Sequence, residues 1–461
     1  MLFSSIPFLY YFLPITLLLY FAVPWKLKNT VLLLSSLVFY GWGEPKLLLL
    51  MVFTITVMYF CGLAIGSARN QKSKKFWLII SCVVSLSLLG IFKYADFFLS
   101  SINALTGLGI PLLKLALPVG ISFYTFQSLS YTIDVYRGTV PAQKSWISFG
   151  AYVALFPQLI AGPIVRYKDI ARELDQRTHS WEEASLGIRR FLIGLGKKVI
   201  IADNFALLMK LFRESSEPSV LFYWMYAAAF LFNIYFDFSG YSDMAIGLGR
   251  IFGFHFVENF NYPYISKSIT EFWRRWHMSL GSWFRDYVYI PMGGNRVSNG
   301  RWMANILTVW MLTGAWHGAA WNFVLWGLLY AVMLLLEKWV SGLQELPDVL
   351  RHGYVLLIVC LGFVLFNADS TAQALRDLAA LFGLAGLPAV TAPALYYLKS
   401  FAPLFVIACF GATPWPKDAA KHLEDTRLGR VLQLLFFIAI LLVSTAYLVD
   451  GSFSPFLYFR F

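Results

Sequence analysis

The feature that most constrains this chain is the recurrence of apolar runs long enough to cross a bilayer, joined by short connectors that carry most of the charge. A spanning helix needs about 20 apolar residues, because in hydrocarbon every backbone polar group must be satisfied within the segment itself. Runs of this kind read at 6–23, 46–65, 76–99, 221–248, 302–316, 322–336, 354–366, 395–410 and 431–448. Hydrophobic residues make up 59% of the 461 positions and charged ones 13%, which leaves no room for a folded soluble domain. The expected fold is all-α, a polytopic transmembrane helical protein of about 11–13 membrane helices with re-entrant and interfacial helices.

The formal charge of +12 points away from nucleic acid once its location is considered. Lys and Arg sit in short loops beside apolar runs, as the positive-inside rule requires. Lys26 and Lys28 after the run 6–23, and Arg69, Lys72, Lys74 and Lys75 after the run 46–65 two crossings later, put those loops in the cytoplasm and the start of the chain outside. The first run has no basic residue ahead of it and no small-residue cleavage site, so it reads as a retained span. Cys61, Cys82, Cys360 and Cys409 lie singly in apolar sequence, and neither core histidine, His277 or His317, has an acid at metal spacing beside it; no metal site is expected.

Several segments are too polar for ordinary spans. The helix expected over 118–136 carries Ser122, Tyr124, Gln127, Ser128, Ser130, Tyr131 and Asp134. Interhelical hydrogen bonding accounts for most of these, and Ser122 and Gln127 are candidates to line a substrate passage. The segment 145–163 has basic residues at both ends and is broken by Pro157 and Pro163, which leaves a buried or re-entrant hairpin and a span equally open. Residues 181–199 form an amphipathic pattern suited to the cytoplasmic surface. Asp237 and Asp243 lie inside 221–248 and need cationic partners, with Arg250 or an arginine of the 274–285 segment as the candidates.

The region 262–326 stands apart. Glu271, Arg274, Arg275, Arg285 and Asp286 each cost roughly 2.5–3.5 kcal/mol at the centre of a lipid-facing helix, so this part should lie within protein or along a water-filled cavity. It holds His277. His317 follows near the end of the nearly uncharged run 302–316, and on a continuous helix it shares a face with Trp310, Thr313, Gly314 and Trp321. An ionisable group at that depth is a functional candidate by default.

The sequences Phe272-Trp273-Arg274-Arg275-Trp276-His277, Trp283-Phe284-Arg285-Asp286-Tyr287-Val288-Tyr289-Ile290-Pro291 and Gly314-Ala315-Trp316-His317-Gly318 together resemble the membrane-bound O-acyltransferase family, in its alginate O-acetyltransferase branch. Asn259-Phe260-Asn261-Tyr262-Pro263-Tyr264, Gly293-Gly294-Asn295-Arg296 and the opening Met1-Leu2-Phe3-Ser4-Ser5 extend the likeness over most of the chain. The resemblance implies one integral-membrane acyltransferase domain over 1–461, with N-terminal helices in 1–140, a catalytic core with both histidines in 141–340, and C-terminal helices plus an aromatic tail in 341–461. It implies a central tunnel pinched near His317, with acetyl-CoA as acyl donor and no permanently bound cofactor. The location it implies is a bacterial inner membrane, and the partners are a periplasmic or extracellular acetyltransferase and, indirectly, an exported polysaccharide.

In that frame His317 takes the proton of the attacking hydroxyl. His277 orients the hydroxyl or stabilises the oxyanion, and Trp273, Arg274, Arg285, Asp286, Trp310, Thr313, Ser122 and Gln127 line the substrate path. Arg166, Lys168, Arg189, Arg190, Lys197 and Lys198 are available to attract the donor's phosphates, although membrane topology explains them equally well. The tail Phe453-Ser454-Pro455-Phe456-Leu457-Tyr458-Phe459-Arg460-Phe461 reads as an interfacial aromatic belt. It also resembles the tail of the small protein whose tyrosine carries the acyl group in teichoic acid D-alanylation, which makes Tyr458 a candidate acyl carrier. A transporter of acyl groups or small metabolites, and a scaffold for a polysaccharide export complex, remain as alternatives.

Overall fold

The computed structural model describes residues 1–340, 342–424 and 426–451; the tail with Tyr458 lies outside them. The described residues are all-α, with no strand among them. Among the described residues, seven helices are long and apolar enough to cross a membrane: Leu48–Ser67, Gln71–Thr106, Val220–Ile251, Trp321–Trp339, Asp348–Asn367, Ala392–Gly411 and Arg427–Val449. The other helices that the expectation of about 11–13 had counted are shorter or more polar, among them Phe8–Ala22, Lys28–Gly41, Ile121–Arg137 and Asn299–His317. The helices gather into two compact units, one of Met1–Phe191 with Tyr241–Val257 and one of Leu192–Gly240 with Glu258–Phe461.

In the first unit, Leu48–Ser67 packs against Gln71–Leu89, Ile121–Arg137 and Trp146–Ala154. Gly62 allows the close approach: a Cβ there would lie 2.4 Å from Tyr131 Cε1. Tyr131 Oη in turn accepts the Gln143 N–H at 3.0 Å, fastening the loop that follows its own helix. Ile121–Arg137 is buried almost throughout despite its polar sequence. Its hydroxyls are satisfied mainly from behind, Ser128 on the Tyr124 carbonyl and Ser130 on the Gln127 carbonyl, both at 2.7 Å. Interhelical bonding is the smaller part, represented by Ser81 Oγ donating to Thr132 Oγ1 at 3.2 Å.

The interrupted stretch behaves as its prolines require. Trp146–Ala154 ends at an extended Leu155, Phe156–Leu159 adds one turn, and the chain from Ser148 to Val165 is buried. The amphipathic helix is Trp181–Gly196. Its start is exposed, but its end is buried and continues as the π-helical turn Lys197–Ala202.

In the second unit, Lys198 lies 2.7 Å from carboxylate oxygens of both Asp203 and Asp237, all three buried. In the first, Arg190 Nη2 pairs with Asp243 Oδ1 at 2.8 Å. The two membrane acids are therefore ion-paired, as burial demands, but their partners are Lys198 and Arg190; Arg250 pairs with Glu183. The expected arginine partners fail because both acids face helix 181–196 and its π-helical extension, a neighbour that sequence distance conceals.

The element that positions the histidines is the hairpin of Asn299–His317 and Trp321–Trp339. Its two helices meet backbone to backbone: a Cβ on Gly314 would lie 2.2 Å from the Phe323 carbonyl oxygen, and one on Gly327 would lie 2.2 Å from that of Trp310. Small residues at such a crossing are how membrane helices gain van der Waals contact without a hydrophobic driving force.

Candidate active site

His277 does not sit on a continuous helix. Ile269–Arg275 ends, Trp276 is extended, His277 takes a left-handed conformation (φ 45, ψ 51), and Met278–Phe284 begins. That conformation costs about 1–2 kcal/mol for a non-glycine residue and persists only where the surroundings enforce it. Here they do. The Met278 N–H donates to the Asn259 carbonyl at 3.0 Å, and the Asn261 N–H donates to the Arg275 carbonyl at 2.9 Å, so the chain at 259–261 grips the break from both sides.

The first short helix is fixed at its start. Ser268 caps it by accepting the Glu271 N–H at 3.0 Å. The Glu337 carboxylate, near the end of Trp321–Trp339, accepts the N–H groups of Ile269 and Thr270 and the Thr270 hydroxyl. Three donors on one buried carboxylate tie the histidine-bearing segment to the hairpin that ends in His317. On the exposed side Glu271 pairs with Arg275 at 2.9 Å. Burial raises the Glu271 carboxyl, but the Lys267 amide and the Arg275 guanidinium outweigh it and leave its pKa below the usual carboxylate value.

His277 and His317 are 2% and 5% exposed, with ring centroids 6.4 Å apart. Trp316 lies 5.8 Å from the His277 ring, and Phe238 closes its other face at 4.7 Å. His317 is held by Trp326 at 5.3 Å and Phe366 at 5.2 Å. Trp326 continues into Trp273 at 5.4 Å and Tyr330 at 5.1 Å, and Trp310 meets Trp273 at 4.8 Å. His277 lies outside the seven spans, and its burial in this shell lowers its pKa well below the ordinary imidazole value. In the shell, His277 Nε2, Trp273 Nε1, Trp326 Nε1 and Tyr330 Oη are buried with no hydrogen-bond partner among the described residues. Leaving such groups unmet costs about 1–3 kcal/mol each, so these atoms are available to hydrogen-bond a ligand or water.

The expected residues divide. His277, His317, Trp273 and Trp310 come together, and Thr313 is buried one turn before His317 with its hydroxyl returned to the Val309 carbonyl at 2.8 Å. Arg274 and Arg285 are exposed, and Arg285 pairs with Asp286 at 2.8 Å. The helix break turns both arginines away from the position that a continuous helix would give them beside His277. Trp321 is also displaced: the helix stops at His317, Gly318 is extended, and Trp321 opens the next helix 56% exposed.

Ser122 and Gln127 belong to the first unit. Ser122 Oγ accepts from Lys93 Nζ at 3.3 Å, and neither amide atom of the fully buried Gln127 has a partner among the described residues. Of the basic residues considered for phosphate, Lys198 and Arg190 are taken up in the ion pairs above, and Arg166 pairs with Asp169 at 3.1 Å. No group of three or more histidine, cysteine or acidic side chains that could hold a metal occurs among the described residues. Trp326, Phe366 and Glu337 were not singled out in the sequence, and Asn259 only as part of the run 259–264; for Glu337 the visible hint was an acid closing the apolar run 322–336.

The family model described as MBOAT, membrane-bound O-acyltransferase family, matches residues 36–371. The chain is 40% identical over 504 aligned residues to the probable alginate O-acetylase AlgI of Azotobacter vinelandii, covering the whole of both proteins. It is 35% identical over 425 residues to the peptidoglycan O-acetyltransferase of Helicobacter pylori, covering 84% of this chain and 81% of that one. With the teichoic acid D-alanyltransferase of Bacillus subtilis it shares 32% identity over 271 residues, 54% of this chain and 68% of the relative.

Proposed function

Because the chain belongs to the membrane-bound O-acyltransferase family, we propose that it takes acetyl from acetyl-CoA on the cytoplasmic side of a bacterial inner membrane and passes it toward the hydroxyls of an exported polysaccharide. That it is an O-acyltransferase and a multi-pass membrane protein follows from the family and the seven apolar helices. The donor, the polymer and the route are what is proposed. The carrying observation is the pair of buried imidazoles from two separate segments, 6.4 Å apart, inside a wall of indoles whose Trp273 and Trp326 N–H groups are unmet among the described residues.

Acyl transfer needs a proton acceptor for the attacking hydroxyl and donors for the charge that develops on the thioester oxygen. His317 takes the hydroxyl proton as the oxygen attacks the carbonyl carbon. The tetrahedral intermediate collapses, the carbon–sulfur bond breaks, and the same proton passes to the departing thiolate. The indole N–H groups of Trp326 and Trp273 suit the oxyanion in a shell that excludes water, where such donors are worth most. The names of the relatives, which act on alginate, peptidoglycan or teichoic acid, support a cell-envelope polymer as the final acceptor. Final transfer belongs to a periplasmic or extracellular partner acetyltransferase, since the apolar composition leaves no soluble domain to hold a polysaccharide. Tyr458 is the proposed relay hydroxyl.

His317→Ala tests the reading. Acetyl transfer from labelled acetyl-CoA in membrane vesicles should be lost with membrane abundance unchanged. Normal polymer acetylation by that variant would refute the enzyme site and leave a transporter or scaffold.

A further inference from the structure

We infer that Asn259 sets the tautomer of His277, so that His277 faces the reaction as a hydrogen-bond acceptor on the same side as His317 and not as an oxyanion donor. The inference rests on the acyltransferase reading above and divides the labour of its two histidines.

The argument begins at the Asn259 side chain. Its Oδ1 lies 3.3 Å from the Ser279 backbone nitrogen and 2.9 Å from Ser279 Oγ. A backbone N–H can only donate, so the atom facing it is the amide oxygen and not the amide nitrogen. The same oxygen lies 3.0 Å from His277 Nδ1. Two acceptors do not face each other at that distance, so Nδ1 carries the hydrogen. A neutral imidazole has one N–H, and Nε2 therefore keeps its lone pair. That Nε2 is buried and has no hydrogen-bond partner among the described residues. The ring cannot easily exchange its nitrogens, because Phe238 and Trp316 pack on it and the Asn259 carbonyl holds the Met278 N–H next to it.

A lone pair can receive an O–H but cannot donate to an oxyanion. His317 is the titratable ring beside His277, and the ring spacing says what fits between them. A direct N–H···N bond brings imidazole centroids to about 5 Å, whereas one bridging oxygen at ordinary hydrogen-bond lengths gives about 6–8 Å. The observed 6.4 Å suits a single water between the rings, with one O–H for each lone pair, which receives the proton of the attacking hydroxyl as it passes its own to His317. The unmet donors of Trp273 and Trp326 remain for the oxyanion. Asn259 touches none of the reacting atoms and is a positioning residue that acts through His277.

Three variants, assayed in membrane vesicles with labelled acetyl-CoA, and one spectrum test this. His277→Ala should abolish transfer; if it does not, the acyltransfer site itself is misread and the inference falls with it. Given that loss, Asn259→Leu, which removes the acceptor, should lower kcat by about 10–100-fold with KM for acetyl-CoA unchanged. Asn259→Asp keeps an acceptor for Nδ1–H and adds a charge that favours imidazolium, so it should retain activity with the acid limb of its pH–rate profile moved to higher pH. Nitrogen NMR of the unaltered protein with labelled histidine, assigned by difference against His277→Gln, should show the Nδ1–H tautomer. A wild-type rate for Asn259→Leu, an acid limb moved to lower pH in Asn259→Asp, or an Nε2–H signal would overturn the tautomer assignment while leaving the acyltransferase site standing.

Discussion

The crossing of Asn299–His317 and Trp321–Trp339 allows a prediction whose size can be worked from distances. Gly314→Ala places a methyl group 2.2 Å from the Phe323 carbonyl oxygen, where carbon and oxygen rest at about 3.3 Å. The obstacle is backbone on the facing helix, so rotation of a side chain cannot relieve it, and the helices must part by about 1 Å. His317 lies three residues further along the helix that moves, and Trp326 and Glu337 lie on the other. Displacement of a catalytic group by that amount costs on the order of 100-fold in rate. Overpacking itself costs about 1–3 kcal/mol of stability, which a bundle of this size should survive. Gly314→Ala should therefore reach near-normal membrane abundance with acetyl transfer reduced about 100-fold. Gly327→Ala, whose methyl would meet the Trp310 carbonyl at the same 2.2 Å, should do the same. Since one separation relieves both clashes, the double variant should lose less than the product of the two. Gly353→Ala, with nothing within 4 Å of its new carbon, is the control and should be unaffected. A Gly314→Ala protein within twofold of the wild-type rate would show that this contact does not hold His317 in place.

Two other predictions follow from the supports of the site and from the tail. Glu337→Ala leaves the Ile269 and Thr270 N–H groups without their acceptor, so it should destabilise the protein by about 1–3 kcal/mol and lower transfer; Glu337→Gln, which keeps one acceptor oxygen, should recover part of both, and thermal denaturation with the transfer assay checks the order. Acetyl label retained on the purified protein should disappear in Tyr458→Phe, and unchanged labelling would remove that tyrosine as the carrier.

How much of this was visible in the sequence depends on whether the deciding force acts along the chain or across it. The spans were legible because hydrocarbon sets one demand, about 20 apolar residues, and helices such as Leu48–Ser67 and Arg427–Val449 meet it openly. The prolines at 157 and 163 marked an interruption in the same local way, while leaving a hairpin and a span equally open. Both histidines were legible as ionisable groups set deep in apolar sequence, and both are buried. The shape of the site was not, because periodicity assumes that a helix continues. Nothing in Trp276-His277-Met278 says that the chain turns left-handed there, and that one residue removes Arg274 and Arg285 from the neighbourhood a helical wheel assigns them. The stop at His317 removes Trp321 in the same manner. Asp237 and Asp243 were rightly expected to be paired, since burial alone requires it, but the choice of Lys198 and Arg190 is made by which helix lies alongside. Asn259 is the sharpest case. In the sequence it is one polar residue among aromatics, and only the fold brings its amide oxygen within reach of Ser279 and His277 together. Along the chain a histidine can be recognised as buried, whereas the partner its Nδ1 meets comes from 18 residues away.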